Sequence, residues 1–175
     1  MLNFESIDYL KSGTERQQAA FKVLIKYGVM EKLADFDPLL AGTIPIGIDT
    51  AQSDLDIICC WSNKSQFKNL LQQSFSACFG FTLKEVKVRG KESIIANFWL
   101  DGFEVEVFGQ STPSRQQAAY RHMLIEYKLL QKYGDEFRQK VLQLKRQGIK
   151  TEPAFAQLLE LPGDPYDALL QLGLD

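Results

Sequence analysis

Cysteine and histidine are scarce in this sequence of 175 residues, with three of the first and one of the second. Cys59, Cys60 and Cys78 include a vicinal pair and lack CxxC spacing, which excludes a disulfide framework and a Cys/His zinc site. Long apolar runs are missing too, and the N-terminal MLNFESIDYLKSG has no basic segment leading into an apolar one. Neither a membrane span nor a secretory leader is therefore expected, and a reducing cytoplasm is the expected location. There is no repeat, low-complexity tract or Pro/Ser linker, so residues 1–175 are expected to form one domain, with a sheet-containing core over 1–112 and a helical part over 113–175. Nor is there an excess of positive charge. The formal net charge is −2, which argues against a long nucleic acid as partner, because nonspecific binding of nucleic acid draws on a basic surface. One local absence is sharper: no Lys or Arg occurs between Lys32 and Lys64.

That cation-free stretch holds the most informative residues. An apolar run reaches Gly42 and Thr43, a second glycine follows at Gly47, and Ser53, Asp54, Leu55, Asp56 and Ile57 come next. In a strand alternate side chains share a face, so Asp54 and Asp56 point one way while Leu55 and Ile57 enter the core. Two carboxylates about 5 Å apart repel by about 3 kcal/mol at an effective dielectric of roughly 20, which favours a cation beside them. Magnesium, or manganese, suits that need, since it takes hard oxygen ligands completed by water and substrate phosphates. Gly42 permits a positive φ and close backbone approach, and Thr43 offers a hydroxyl and an amide to a phosphate oxygen.

The order Gly42, Thr43, Gly47, Ser53, Asp54, Leu55, Asp56, Ile57 resembles the signature of the DNA polymerase beta-like nucleotidyltransferase superfamily, a Gly-Ser turn followed by an Asp-x-Asp or Asp-x-Glu strand. The runs EVFGQ, QAAYRHMLIE and KTEPAFAQLL are similar to an uncharacterised, divergent branch of it. The resemblance implies that the Gly42–Thr43 turn, with Gly47 and Ser53, holds a triphosphate, that the paired acids bind metal, and that a later strand supplies a third acid. It implies transfer of a nucleoside monophosphate from a nucleoside triphosphate to a hydroxyl acceptor that nothing in the sequence names. The alternative is a catalytically inactive module that keeps the fold and binds a nucleotide or a protein. Threonine stands at Thr43 in place of serine, and Ile44, Pro45 and Ile46 occupy positions where many superfamily members carry arginine.

Periodicity predicts an α/β (α+β) fold: a mixed, mostly antiparallel sheet of about five strands flanked by helices, with a helical C-terminal cap. Thr14 to Gln17 reads as a capping box before a helix ending at Gly28. Strands are expected over Leu39–Thr43 and Asp54–Trp61, then a helix capped by Asn63 or Ser65 with Phe67, Leu70, Leu71 and Phe75 inward. A meander follows: Phe81–Val88, a turn at Arg89–Lys91, Ile94–Leu100, the hairpin signal Asp101-Gly102, and Phe103–Phe108. Thr112 and Pro113 are expected to open a long helix through about Tyr133, with Gly134 and Gly148 as stops and short helices from Thr151 and Asp164.

A two-residue hairpin loop sets Asn97 opposite Glu106 and Trp99 opposite Glu104, so Asn97, Glu104 and Glu106 share a face. Either glutamate has the strand phase to be the third acid. The resemblance favours Glu106 through EVFGQ, making Asp54, Asp56 and Glu106 the expected catalytic and metal-binding set. His122 falls on a helical face with Arg115, Ala119 and Glu126, so pairing with Glu126 is its plain role and substrate contact its functional one. Arg115, Arg121 and Lys150 are candidates for the missing phosphate charge, and Asn97 and Glu104 for further substrate contacts. Tyr120 and Tyr127 read as core, and Cys59 and Cys60 as small buried hydrophobes.

Overall fold

The computed structural model describes residues 2–173. Helix α1 (Glu15–Lys26) starts as its capping box dictates: the Gln17 amide donates to the Thr14 hydroxyl, and the Thr14 amide donates back to the Gln17 side chain. Gly28, at φ 59°, separates α1 from the short α2 (Val29–Lys32). Five strands follow, β1 (Leu39–Ala41), β2 (Leu55–Cys60), β3 (Phe79–Val88), β4 (Lys91–Leu100) and β5 (Phe103–Gln110), in one sheet of order β1-β2-β5-β4-β3. All neighbours are antiparallel except β2 and β5, giving the mixed, mostly antiparallel sheet that the patterning predicts.

The hairpins show how local chemistry sets register. Asp101 and Gly102 both have positive φ, 43° and 85°, as a two-residue turn matched to strand twist requires, and Leu100 pairs with Phe103. Arg89 and Gly90 do the same, so the expected three-residue turn closes after two and Lys91 already pairs with Val88. β3 begins two residues earlier than its alternation indicates, behind an irregularity between Phe79 and Thr82. β1 ends at Ala41, short of Thr43, because Gly42 at φ 81° turns the chain.

Each sheet face carries its own core. Leu55, Ile57 and Cys59 of β2, with Ala96, Phe98, Val105 and Val107, face α1 and α3 (Lys64–Phe75), which Asn63 caps. Leu39, Ala41 and Ile58 face the C-terminal helices, α4 (Ala118–Arg146), α5 (Thr151–Leu158) and α6 (Pro165–Gln171). α4 packs on β1, which leaves the β4–β3 part of that second face open.

α4 departs from expectation at its start. Instead of opening at Thr112 and Pro113, the chain makes a 3-10 turn at Ser114–Gln116 and enters the helix at Ala118. Tertiary bonds hold the connection out of the helix: the Ser114 hydroxyl donates to the Asp37 carbonyl at 2.6 Å, and Gln117 Nε2 donates to the carbonyls of Cys59 and Thr112 at 2.8 and 2.9 Å. Gly134, at φ 73° and ψ −165°, interrupts α4 without ending it, and Gly148 at φ 88° follows its end. Asp164 caps α6, accepting from the amides of Tyr166 and Asp167.

Candidate active site

The sheet gathers the acids into a row. Ala41, Asp56, Glu106, Asn97 and Thr82 are successive cross-strand partners through β1, β2, β5, β4 and β3. Asp56 and Glu106 are thus side by side on parallel strands, and Asn97 Nδ2 donates to Glu106 Oε2 at 3.3 Å. Asp54 precedes β2 on the same face, and all three acids line a cleft of about 1020 Å³ that also takes in Gly42, Thr43 and Ser53. Leu55 and Ile57 are fully buried on the other side, as period two demands.

Electrostatics marks this row as short of positive charge. Burial, then the charges of Asp54, Glu106 and Glu152, push the Asp56 carboxyl up to about 8, against a lesser lowering by Lys145. Glu106 is also held above its ordinary range, chiefly by burial, while the Asn97 hydrogen bond acts in the opposite direction.

Gly42 is required here on two counts. Its φ of 81° suits only glycine, and a Cβ at that position would collide with the Asp56 carboxylate. Beyond it, Thr43 Oγ1 and Ser53 Oγ are 3.1 Å apart, and the Thr50 amide donates to Ser53 Oγ at 2.9 Å. The isoleucines of this loop are anchors. Ile44 is buried against the α1 side of the sheet, and Ile46 and Ile48 against the α4 side. Cations do reach the loop from distant elements: Arg138 Nη1 donates to the carbonyls of Ile46 and Gly47 at 2.7 and 3.1 Å, and Arg16 Nη2 to that of Ser53 at 2.9 Å. Gln17 Nε2 binds the Ile44 and Pro45 carbonyls at 2.8 and 3.1 Å. Gly47 therefore belongs to the loop's support, outside the cleft lining.

The helical part supplies the opposite wall. Arg121, His122 and Lys150 line the cleft, while Asn97 and Glu104 lie on the acid face beyond its lining. Arg115 is turned elsewhere: its guanidinium binds Glu5 at 2.9 Å and Asp37 at 3.0 Å, and those two carboxylates hold it strongly protonated. His122 does not take Glu126 as its partner. Its Nε2 lies 2.9 Å from the Tyr166 carbonyl and its Nδ1 3.6 Å from Glu152. Tyr120 and Cys59 are buried and Tyr127 packs against the core, as expected, whereas Cys60 is only partly buried, since strand alternation turns it to the face opposite Cys59.

Three wall residues escape sequence reasoning. Glu126 is 3% exposed, its Oε1 has no hydrogen-bond partner among the described residues, and burial followed by the Glu152 charge lifts its carboxyl to about 8. Lys145 makes no ion pair within 4 Å among the described residues, and burial lowers its ammonium against the pull of Glu126, Asp49, Glu152 and Asp54. Glu152 faces both Asp56 and Glu126 electrostatically. Glu126 carried a weak signal, a charge on the cleft stripe of α4 one turn from His122; nothing local marked Lys145 or Glu152.

Among the described residues no three His, Cys, Asp or Glu side chains stand together so as to hold one ion. The donors that are present are carboxylate oxygens, with Cys59 on the opposite face. Such a set fits a hard divalent cation whose shell is completed by water and ligand oxygens, and does not form an all-protein cage.

The model of a domain of unknown function, DUF4269, matches residues 22–172. The chain belongs to this DUF4269 family. No curated protein matches it. Among solved structures, this DUF4269 chain is similar to one in the GLD-2/RNP-8 complex, at 16% identity and TM-score 0.56 over 90% of its length. It is also similar to the polymerase core of TRAMP, an RNA surveillance complex, at 13% identity and TM-score 0.53 over 93%, and to the Cid1 poly(U) polymerase with MgGTP bound, at 16% and 0.52 over 79%. It spans 63%, 50% and 42% of those three chains, less than two thirds of each. These likenesses show the nucleotidyltransferase fold.

Proposed function

We propose that this DUF4269 chain transfers a nucleoside monophosphate from a nucleoside triphosphate to a hydroxyl acceptor with help from a divalent cation. The observation that carries the reading is the cross-strand row, in which Asp56 and Glu106 stand side by side beneath a Gly42 kept bare for the Asp56 carboxylate. Asp54 and Asp56, with Glu106 beside them, would hold magnesium or manganese, which when bound neutralises phosphate charge. The Gly42–Thr43 turn seats the phosphates. If Ser53 Oγ, already accepting from the Thr50 amide, donates to Thr43, the Thr43 proton is free for a phosphate oxygen. Lys145, with Arg121 and Lys150, supplies the cationic charge that the loop lacks. Glu106, oriented by Asn97 and raised by burial, accepts the proton of the attacking hydroxyl.

A net charge of −2 favours a small acceptor over a long nucleic acid. The neighbours described as a poly(U) polymerase and as the core of an RNA surveillance complex make a nucleic acid end the acceptor to test beside it. No helix among the described residues is long and apolar enough to cross a membrane. The absence of any Lys or Arg between Lys32 and Lys64 in the sequence favours a second reading, an inactive nucleotide- or protein-binding module.

Calorimetric titration of the four nucleoside triphosphates, with and without magnesium, separates the two. A transferase binds one or more of them only with magnesium, loses that binding in Asp54→Ala with Asp56→Ala, and releases pyrophosphate once an acceptor is present. Metal-independent binding that survives in the double variant would refute the catalytic reading.

A further inference from the structure

A second row lies beside the acid row on the same face of the sheet. Val105 pairs with Leu55, so Glu104 lies next to Asp54; Glu104 pairs with Trp99, and Trp99 with Phe79 on the edge strand. Strands spaced by about 4.8 Å put Trp99 about 10 Å and Phe79 about 14 Å from the Asp54 strand. Both aromatics are exposed, Trp99 at 43% and Phe79 at 82%, on the part of this face that α4 leaves uncovered. One edge of the indole lies close over Gly80, at φ 70°, where a Cβ would stand 3.0 Å from Trp99 Cδ1. Lys84 is exposed on the same face, paired across the sheet with Ile95, and makes no ion pair among the described residues. Glu85, on the opposite face of β3, is by contrast bound by Lys64 and Lys68.

We propose that Trp99 and Phe79 form a stacking ledge for the end of a single-stranded nucleic acid, with Lys84 meeting its backbone and the ledge leading along Glu104 into the acid site. Flat bases of any sequence stack on exposed aromatic rings, and Lys84, four residues along the sheet from the Trp99 row and so about 13 Å away, can meet a phosphate farther along the same nucleic acid strand. The net charge of −2 argues against a long nucleic acid, so the ledge is assigned only a short single-stranded end, held mainly by stacking. The acceptor role of the strand rests on the transferase reading; the binding does not.

The test is an anisotropy titration of a fluorescein-labelled single-stranded RNA hexamer, without metal or triphosphate, so that its failure is distinguishable from failure of the phosphate site. Trp99→Ala is expected to weaken binding about tenfold while Trp99→Phe retains most of it. Lys84→Ala is expected to lower the salt slope by about one, and Asp54→Ala with Asp56→Ala to leave the hexamer bound. Emission of Trp99 should be quenched by the hexamer, with the buried Trp61 as internal reference. Equal binding by wild type and a folded Trp99→Ala, adenosine binding as tightly as the hexamer, or a dimer in solution that Phe79→Ala dissociates would each overturn the proposal.

Discussion

Replacing Glu126 by glutamine tests the charge balance of the cleft wall. The native carboxyl is raised from an ordinary value of 4.5 to about 8, mainly because it is buried and secondly because Glu152 faces it. A raised acid binds its proton more tightly in the folded state, so its contribution to stability is complete below about 4.5 and is lost as pH rises toward about 8. At 1.36 kcal/mol for each tenfold change in proton affinity, that loss has a ceiling of about 5 kcal/mol. Movement of Lys145 toward the carboxylate and entry of water reduce it, leaving a gain of roughly 2–3 kcal/mol for Glu126→Gln at pH 8.5. For a chain of this size that is roughly 5–10 °C in Tm. At pH 5 both side chains are neutral and of one shape, so the two proteins should melt within about 2 °C of each other. Thermal unfolding followed by circular dichroism from pH 5 to 8.5 reads the difference. A gap that does not widen with pH, or a variant less stable at high pH, would refute the reasoning.

Three further outcomes follow from the same geometry. Gly42→Ala should cost about 1–2 kcal/mol from the left-handed backbone alone and should weaken nucleotide binding by displacing Asp56, measured by chemical unfolding and by calorimetry. Lys145→Met keeps the apolar stem and removes the charge; it should weaken triphosphate binding at least tenfold while binding of the nucleoside alone is unchanged, which equilibrium titration can separate. Arg115→Ala should lower stability by less than about 1 kcal/mol and leave nucleotide affinity unchanged, because its ion pairs with Glu5 and Asp37 are largely exposed and lie away from the cleft.

Local periodicity and turn chemistry determined a good deal by themselves. Asp101-Gly102 can be bridged in only one tight way, so the pairing of Asn97 with Glu106 and of Trp99 with Glu104 is legible in the sequence alone. Period two placed Asp54 and Asp56 on one face, and the capping box located the start of α1. What only the tertiary structure decided is whatever depends on which distant segments meet. The parallel pairing of β2 with β5 brings Glu106 against Asp56, and no local signal encodes a contact between strands separated by a helix and two hairpins. The stretch without cations is served by Arg16 and Arg138 from α1 and from beyond the Gly134 break, and the cleft by Lys145. Bonds from Ser114 and Gln117 to remote carbonyls override the helix-opening preference of Pro113, and Arg115 commits its fork to Asp37 and Glu5. Backbone preferences act over a few residues and can be read from sequence, whereas charge pairing and burial depend on distances that exist only once the chain has folded.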